Sequence, residues 1–465
     1  MVFTTGEGWW RRTDEIYEAV RIGEGLAASG ELGSEPMQRA LATVEVFAHF
    51  CRATGIDEVE VVATSAIRDA SNRDEFLARA ALPARVLSAE AEAHYGYLAA
   101  VNSTTLGDGW VLDLGGGSLQ LSRVVGRLAR EERSWKLGAV RMTERFGEDR
   151  KALRKHVASK IDSVAGGRLV AIGGTARNLA AADQVLRSLP SFGVQGHVIP
   201  RDALVELVDE LAGRSPAERA KLRGIKPERG DIILAGAQTI LSVLDIGGFD
   251  GVEVTEAGLR EGVFFSRWLE PEELFDDVRR QSVLNLAGLY HVDHAHTEHV
   301  ARLALGLFDE LAAAGLHDGD AVERELLWAA AALHDIGMTV DYDDHHKHSR
   351  YLVLNGGLPG FSPREVALIG QAVRYHRKGT PGLGPFGPLM HRGDQQLLLR
   401  LSVLLRLAED LERPRDQLVQ AVDAVIDGER VELRLQAEGD VSVSRWAAAR
   451  ETDLFASAFG RELVV

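Results

Sequence analysis

Residues 110–122 read Trp-Val-Leu-Asp-Leu-Gly-Gly-Gly-Ser-Leu-Gln-Leu-Ser. The pattern is a buried strand, a sharp glycine turn and a second strand. Val111, Leu112 and Leu114 make the first arm, and Leu119 and Leu121 alternate in the second. Gly115, Gly116 and Gly117 let the backbone approach a ligand closely and aim several N–H groups at it, which suits a phosphate. Ser118 follows them. Asp113 sits at the lip of the turn, where a carboxylate can hold a metal ion or its waters. The glycine run alone favours a ligand-free hairpin, so the decision lies in its company.

The same theme recurs. Leu169 to Ile172 is an apolar strand, Gly173-Gly174-Thr175 is a glycine pair with a hydroxyl, and a helical pattern begins at Ala176. Two such turns suggest two phosphate-facing loops on one sheet. Val59 to Ala63 reads as a buried strand followed by Thr64 and Arg68, both within reach of a phosphate if the strand is parallel. Ser88 is a good helix N-cap, and Glu90 and Glu92 fall in the first turn, where the helix dipole favours carboxylates whatever their function.

Bulk properties narrow the classes. A chain of 465 residues suggests about two to four domains. One cysteine, Cys51, excludes an intramolecular disulfide and fits a reducing cytoplasm. No apolar run is long enough to span a membrane, and no signal peptide is visible. The formal net charge of −16 argues against a nucleic-acid partner, but local arginines can still hold a small polyanion.

Along the chain, Glu15 to Ile22 alternates as a strand would, and Met37 to Arg52 is an amphipathic helix. Strands and helices alternate up to about Pro271. Beyond it long amphipathic helices take over, which marks a domain boundary. Most histidines lie there, including His296, the His334-Asp335 pair, His345, His346, His348 and His376. Ala421 to Ser444 alternates around Asp427-Gly428 as a β-hairpin.

The ordered set Val20–Leu26, Ala63–Ala70, Leu87–Leu98, Val111–Leu121, Leu137–Phe146, Ile172–Leu179, Pro227–Ala235 and Glu256–Val263 resembles the Ppx/GppA (exopolyphosphatase/guanosine pentaphosphate phosphatase) family. The resemblance implies an α/β, actin-like, two-lobed fold of the acetate kinase, sugar kinase and actin class. It further implies a first lobe over 1–100, a second over 101–268, a helical HD-like domain over 269–415 and a small α+β unit over 416–465. Met1–Gly8 does not match the family's first phosphate loop, so the first lobe is expected to be N-terminally truncated.

The implied activity is release of terminal phosphate from polyphosphate, or of the 5′ γ-phosphate of pppGpp, with Mg²⁺ or Mn²⁺. By motif, Glu92 corresponds to the base that activates water and Arg68 to the arginine facing the phosphates. Asp113 corresponds to a metal-side aspartate, and Gly115 to Ser118 to the phosphate cradle. Gln120 departs from the family's glutamate, and an amide cannot be a charged ligand or base. That departure motivates an alternative, a catalytically weak polyphosphate or (p)ppGpp sensor. A further alternative is an HD-type metal-dependent phosphohydrolase, with His296, His334, Asp335 and Glu409 as ligands and His345, His346, His348 or His376 as possible additions. Homodimers are common among such proteins and are expected here.

Overall fold

The computed structural model describes residues 1–162 and 164–465. The chain divides into two compact units: residues 1–3 with 12–278, and residues 4–11 with 279–465. The first is mixed α/β, and the second is mainly helical with a small sheet.

The strands in chain order are β1 (Val2–Gly6), β2 (Trp9–Asp14), β3 (Val62–Ala63), β4 (Arg85–Val86), β5 (Gly109–Leu114), β6 (Leu119–Val125), β7 (Leu128–Trp135), β8 (Arg168–Ile172), β9 (His197–Pro200) and β10 (Gly251–Val254). Then come β11 (Val419–Asp427), β12 (Arg430–Ala437) and β13 (Glu462–Val464). Six of them form the central sheet, in the order β7-β6-β5-β8-β10-β9. β5, β8 and β10 run parallel, while β6, β7 and β9 join antiparallel at the flanks. Parallel pairing of β5 with β8 sets Asp113 opposite Ile172. Both glycine turns therefore leave the carboxyl ends of neighbouring strands, the usual ligand side of such a sheet.

The period-2 alternation of β5 sorts its side chains between two cores. Leu112 and Leu114 enter the cluster built with the helices Gly174–Leu186, Arg201–Ala212 and Ile233–Gly247. Val111 enters the opposite cluster with Tyr97, Leu98 and Val101 of the helix Ala89–Val101. Each fully buried leucine contributes roughly 1.5–3 kcal/mol. Asp113 shares the Val111 face, so it points toward the helix that carries Glu92.

Upstream, the parallel pair β3–β4 packs with the helix Ser34–Ala53 around Leu26, Met37, Leu41, Ile67 and Phe76. The strand expected over Glu15–Ile22 is absent: residues 15–21 have no regular structure and are mostly exposed. Their alternation is used differently, since Val20 and Ile22 pack onto the Leu26 cluster with no strand beside them. The strand expected over Val59–Ala63 is only Val62–Ala63 long.

In the second unit the helices His294–Ala313, Ala321–Leu333, Pro363–Tyr375 and Asp394–Leu411 pack together. Ala329, Ala330 and Ala331 are fully buried, and such small side chains let neighbouring helices come close. The β11–β12 hairpin turns at Asp427-Gly428-Glu429, with Asp427 paired to Arg430 as the alternation indicated, but its second strand ends at Ala437 and the end of the stretch expected as strand, Ser442–Ser444, opens the helix Ser442–Ala448. No helix among the described residues is long and apolar enough to cross a membrane.

Candidate active site

The glycine turn is shaped from one side. Gly115 N donates to Ser118 O at 3.0 Å and closes the hairpin. The carbonyl of Gly115 accepts from Ala139 N, and that of Gly116 from Val140 N and Arg141 N, all first-turn donors of the helix Ala139–Phe146. Arg141 Nε donates to Gly117 O at 3.2 Å. The N–H groups of Gly116 and Gly117 find no acceptor among the described residues. Gly138 makes this seat possible, because a Cβ there would stand 2.4 Å from the backbone of Gly116 and Gly117.

Glu92 comes to the turn from the first turn of the helix Ala89–Val101, whose N-cap Ser88 accepts from Ala91 N. It is 6% exposed. Its Oε2 accepts from Arg68 Nη1 at 2.7 Å and its Oε1 from Ser118 Oγ at 3.3 Å. Arg68 is fixed by a second bond to Leu87 O at 3.0 Å. Gln120 Nε2 donates to Ser118 Oγ at 2.9 Å. That gives the departure from glutamate a physical role, since an amide can donate to the serine hydroxyl and leave its proton for Glu92, which a carboxylate cannot do.

Asp113 lies half-buried between the two turns. A Cβ on Gly173 would stand 3.1 Å from its Oδ1, and Gly173 has φ +94°, the region that favours glycine. The Asp113 carboxylate takes no side-chain or cap hydrogen bond from any described residue. Burial, and then the charge of Glu92, raise its pKa to about 7, against the opposing pull of Arg177.

The structure thus brings Arg68, Glu92, Asp113, Gly115–Ser118 and Gly173 together. Thr64 is half-buried at the start of the short helix Ser65–Asp69 and caps it with its backbone rather than its hydroxyl. Gly174 lies against the Arg229 guanidinium, where a Cβ would clash. Thr175 corrects the expectation of a ligand-facing hydroxyl. It is 1% exposed and fills the space over Gly236, because the helix starting at Gly174 turns that side chain inward.

Several cations escaped the sequence reading. Arg141 and Lys136 flank Asp69 at 3.4 and 3.1 Å. Arg177 donates to Glu256 O at 2.6 Å, and burial lowers its pKa below the ordinary arginine value. Its place two residues after Thr175, in the first turn following a glycine pair, was the available signal.

A second cluster lies in the helical unit. His296 Nε2 and His334 Nε2 stand 3.1 and 3.3 Å from Glu409 Oε2, and Asp335 lies within 3.9 Å of both imidazoles. His345 and His376 join them through Asp335 Oδ1, at 3.4 and 4.0 Å. His346 is buried with no hydrogen bond to its ring nitrogens, its Nε2 lies 3.9 Å from Asp344 Oδ1, and it is not one of the metal-compatible groups among the described residues.

Sequence comparison agrees with these features. The profile described as Ppx/GppA phosphatase family matches residues 6–270, and the one described as Ppx/GppA phosphatase, domain III, matches residues 278–452. The region expected to be HD-like thus matches the family's own third domain. Guanosine-5'-triphosphate,3'-diphosphate pyrophosphatase of Vibrio vulnificus is 27% identical over 91% of this chain and 86% of its own length. The protein of that name from Vibrio parahaemolyticus is also 27% identical, with the same coverage. An exopolyphosphatase structure from Cytophaga hutchinsonii shares the fold with TM-score 0.50 at 21% identity, over 56% of this chain and 90% of that one. By turn geometry, strand order and sequence match over more than half its length, the chain belongs to the Ppx/GppA phosphatase family.

Proposed function

We propose that the chain is a phosphoanhydride hydrolase that releases the terminal phosphate of inorganic polyphosphate or the 5′ γ-phosphate of pppGpp. The observation that carries this reading is Glu92, a buried carboxylate held by Arg68 and Ser118 beside a turn whose amides have no protein acceptor. In this reading the amides of Gly116 and Gly117 receive the terminal phosphoryl oxygens, and Arg68 and Arg141 add charge. Glu92 accepts a proton from water as the water oxygen bonds to phosphorus. The P–O–P bridge breaks, and the shortened polyphosphate or ppGpp leaves with the bridging oxygen.

Asp113 suits a divalent cation, proposed here as Mg²⁺ (or Mn²⁺): it is half-buried, lacks a side-chain donor and is disfavoured as a bare anion. A cation there supplies positive charge to the phosphate oxygens. The single cysteine supports a cytoplasmic setting. The His-Asp pair at the end of the helix Ala321–Leu333 supports reading 269–415 as an HD-like domain.

The test is phosphate release from pppGpp and from polyphosphate with Mg²⁺. Glu92→Gln is expected to lose roughly 10²–10⁴-fold in kcat while still binding substrate. Unchanged release would remove Glu92 from the mechanism. Saturable binding without release by the unmutated chain would instead favour the sensor reading, which the buried, unpaired Gln120 Oε1 keeps in view.

A further inference from the structure

The glycine turn has a carboxylate beside it that the reaction above does not use. Asp69 ends the short helix Ser65–Asp69, one residue after Arg68. That helix touches the turn, since a Cβ on Gly117 would stand 2.6 Å from Ser65 Oγ. Three cations surround Asp69. Lys136 Nζ lies 3.1 Å and Arg141 Nη2 3.4 Å from its Oδ2, and Arg68 Nε lies 3.9 Å from its Oδ1. Lys136 directly follows β7, and Arg141 belongs to the helix Ala139–Phe146, so one carboxylate gathers cations from three elements.

These cations keep donors to spare. Arg141 places Nε on Gly117 O at 3.2 Å and Nη2 on Asp69, and its Nη1 hydrogens meet no acceptor among the described residues. The Lys136 side chain is 68% exposed, and its ammonium group has three hydrogens for the one contact with Asp69. A pair as exposed as this does little for stability. The three cations face two carboxylates, Asp69 and Glu92, which leaves one positive charge in surplus. The anchor of Arg141, Gly117, carries one of the two amides assigned above to the terminal phosphoryl group. The phosphate next to it in an anhydride chain is a monoanion at neutral pH, the charge that the surplus cation matches.

We propose that Lys136 and Arg141 form a subsite for the second phosphate of an anhydride chain, and that Asp69 is the positioning residue that holds Lys136 there. The proposal rests on the hydrolase reading above and assigns the leaving side of the broken bridge. A lysine ammonium rides on a flexible four-carbon stem, and ordering it at the moment of binding weakens the contact. Asp69 orders it beforehand, while Arg141 is already fixed at Gly117 O and offers planar N–H groups to phosphate oxygens. A lone phosphate ion on the turn gains nothing from Lys136, and a chain of phosphates does.

The test is calorimetric binding, with Mg²⁺ present, of inorganic phosphate and of a triphosphate analogue whose methylene bridges cannot be hydrolysed. Lys136→Met in the full chain should weaken the analogue about tenfold and inorganic phosphate less than about twofold. It should also flatten the salt dependence of analogue binding. Lys136→Arg should restore most of the affinity. In an Asp69→Asn background the loss from Lys136→Met should shrink to about threefold or less, because the lysine is no longer placed. Equal losses for the two ligands would overturn the subsite. A tenfold loss that persists with Asp69→Asn would overturn the role of Asp69. A chain that binds in the expected pattern yet releases no phosphate from tripolyphosphate would overturn the hydrolase reading and keep the subsite.

Discussion

Removing Arg68 tests whether Glu92 is held as a buried, coupled anion. The guanidinium lies 2.7 Å from Glu92 Oε2, and the two side chains are 19% and 7% exposed. Arg68→Ala leaves the Glu92 carboxylate with only the 3.3 Å bond from Ser118 and with Asp113 as a like-charged neighbour. Stranding one partner of a buried ion pair costs about 3–5 kcal/mol. Glu92→Gln costs less, about 1–2 kcal/mol, because Arg68 keeps its bond to Leu87 O and some contact with water. The double variant removes both charges and should fall short of the sum by about 1.5–3 kcal/mol. Because the chain has two compact units, one unfolding midpoint would blend them. Hydrogen exchange of peptides within Ala89–Val101 reads the relevant helix directly. An Arg68→Ala effect below about 0.5 kcal/mol, the size of an ordinary surface change, or strict additivity with Glu92→Gln, would refute the reasoning.

Asp113 gives a pH-dependent expectation. Its folded pKa, about 7, lies above its unfolded value, so its protonated form stabilises the fold at low pH and that stability is lost as pH rises toward 7. In metal-free protein, Asp113→Asn should therefore be near neutral at pH 4 and increasingly stabilising up to pH 7, by at most about 4 kcal/mol above it; calorimetry across pH checks this, and a pH-independent gain would count against it. Gly173→Ala places a side chain at φ +94° and 3.1 Å from Asp113 Oδ1, so it should cost about 1–2 kcal/mol and lower kcat. Gly213→Ala, at φ −71° with no atom nearer than 3.7 Å, is the control and should change neither stability nor turnover by much.

Local pattern made most of the elements legible. The Trp110–Ser122 hairpin, the Gly173 turn, the Ser88-capped helix and the Asp427-Gly428 hairpin each carry their cause within a few residues: alternation, a glycine run, a cap or a turn dipeptide. Glu15–Ile22 misled because alternation says that one face is apolar, not that a partner strand exists. Thr175 misled because its exposure depends on Gly236, 61 residues further along the chain and invisible in a local window. Arg141 and Lys136 were missed for the same reason, since nothing near them in sequence shows that Asp69 will lie between them.

The sequence by itself determined the phosphate-type turn, the buried strand behind it, the family and the residue types able to do acid–base and metal chemistry. Those properties are local or depend on order along the chain. Only the tertiary structure decided that Glu92 would stand between Arg68 and Ser118 and that Gln120 would act through Ser118. It alone showed that Asp113 would lie partly buried beside Glu92, and that His345 and His376 would meet Asp335 while His346 would not. The physical reason is that charge, desolvation and ligand geometry depend on distances of a few ångströms between residues far apart in the chain, and packing alone sets those distances.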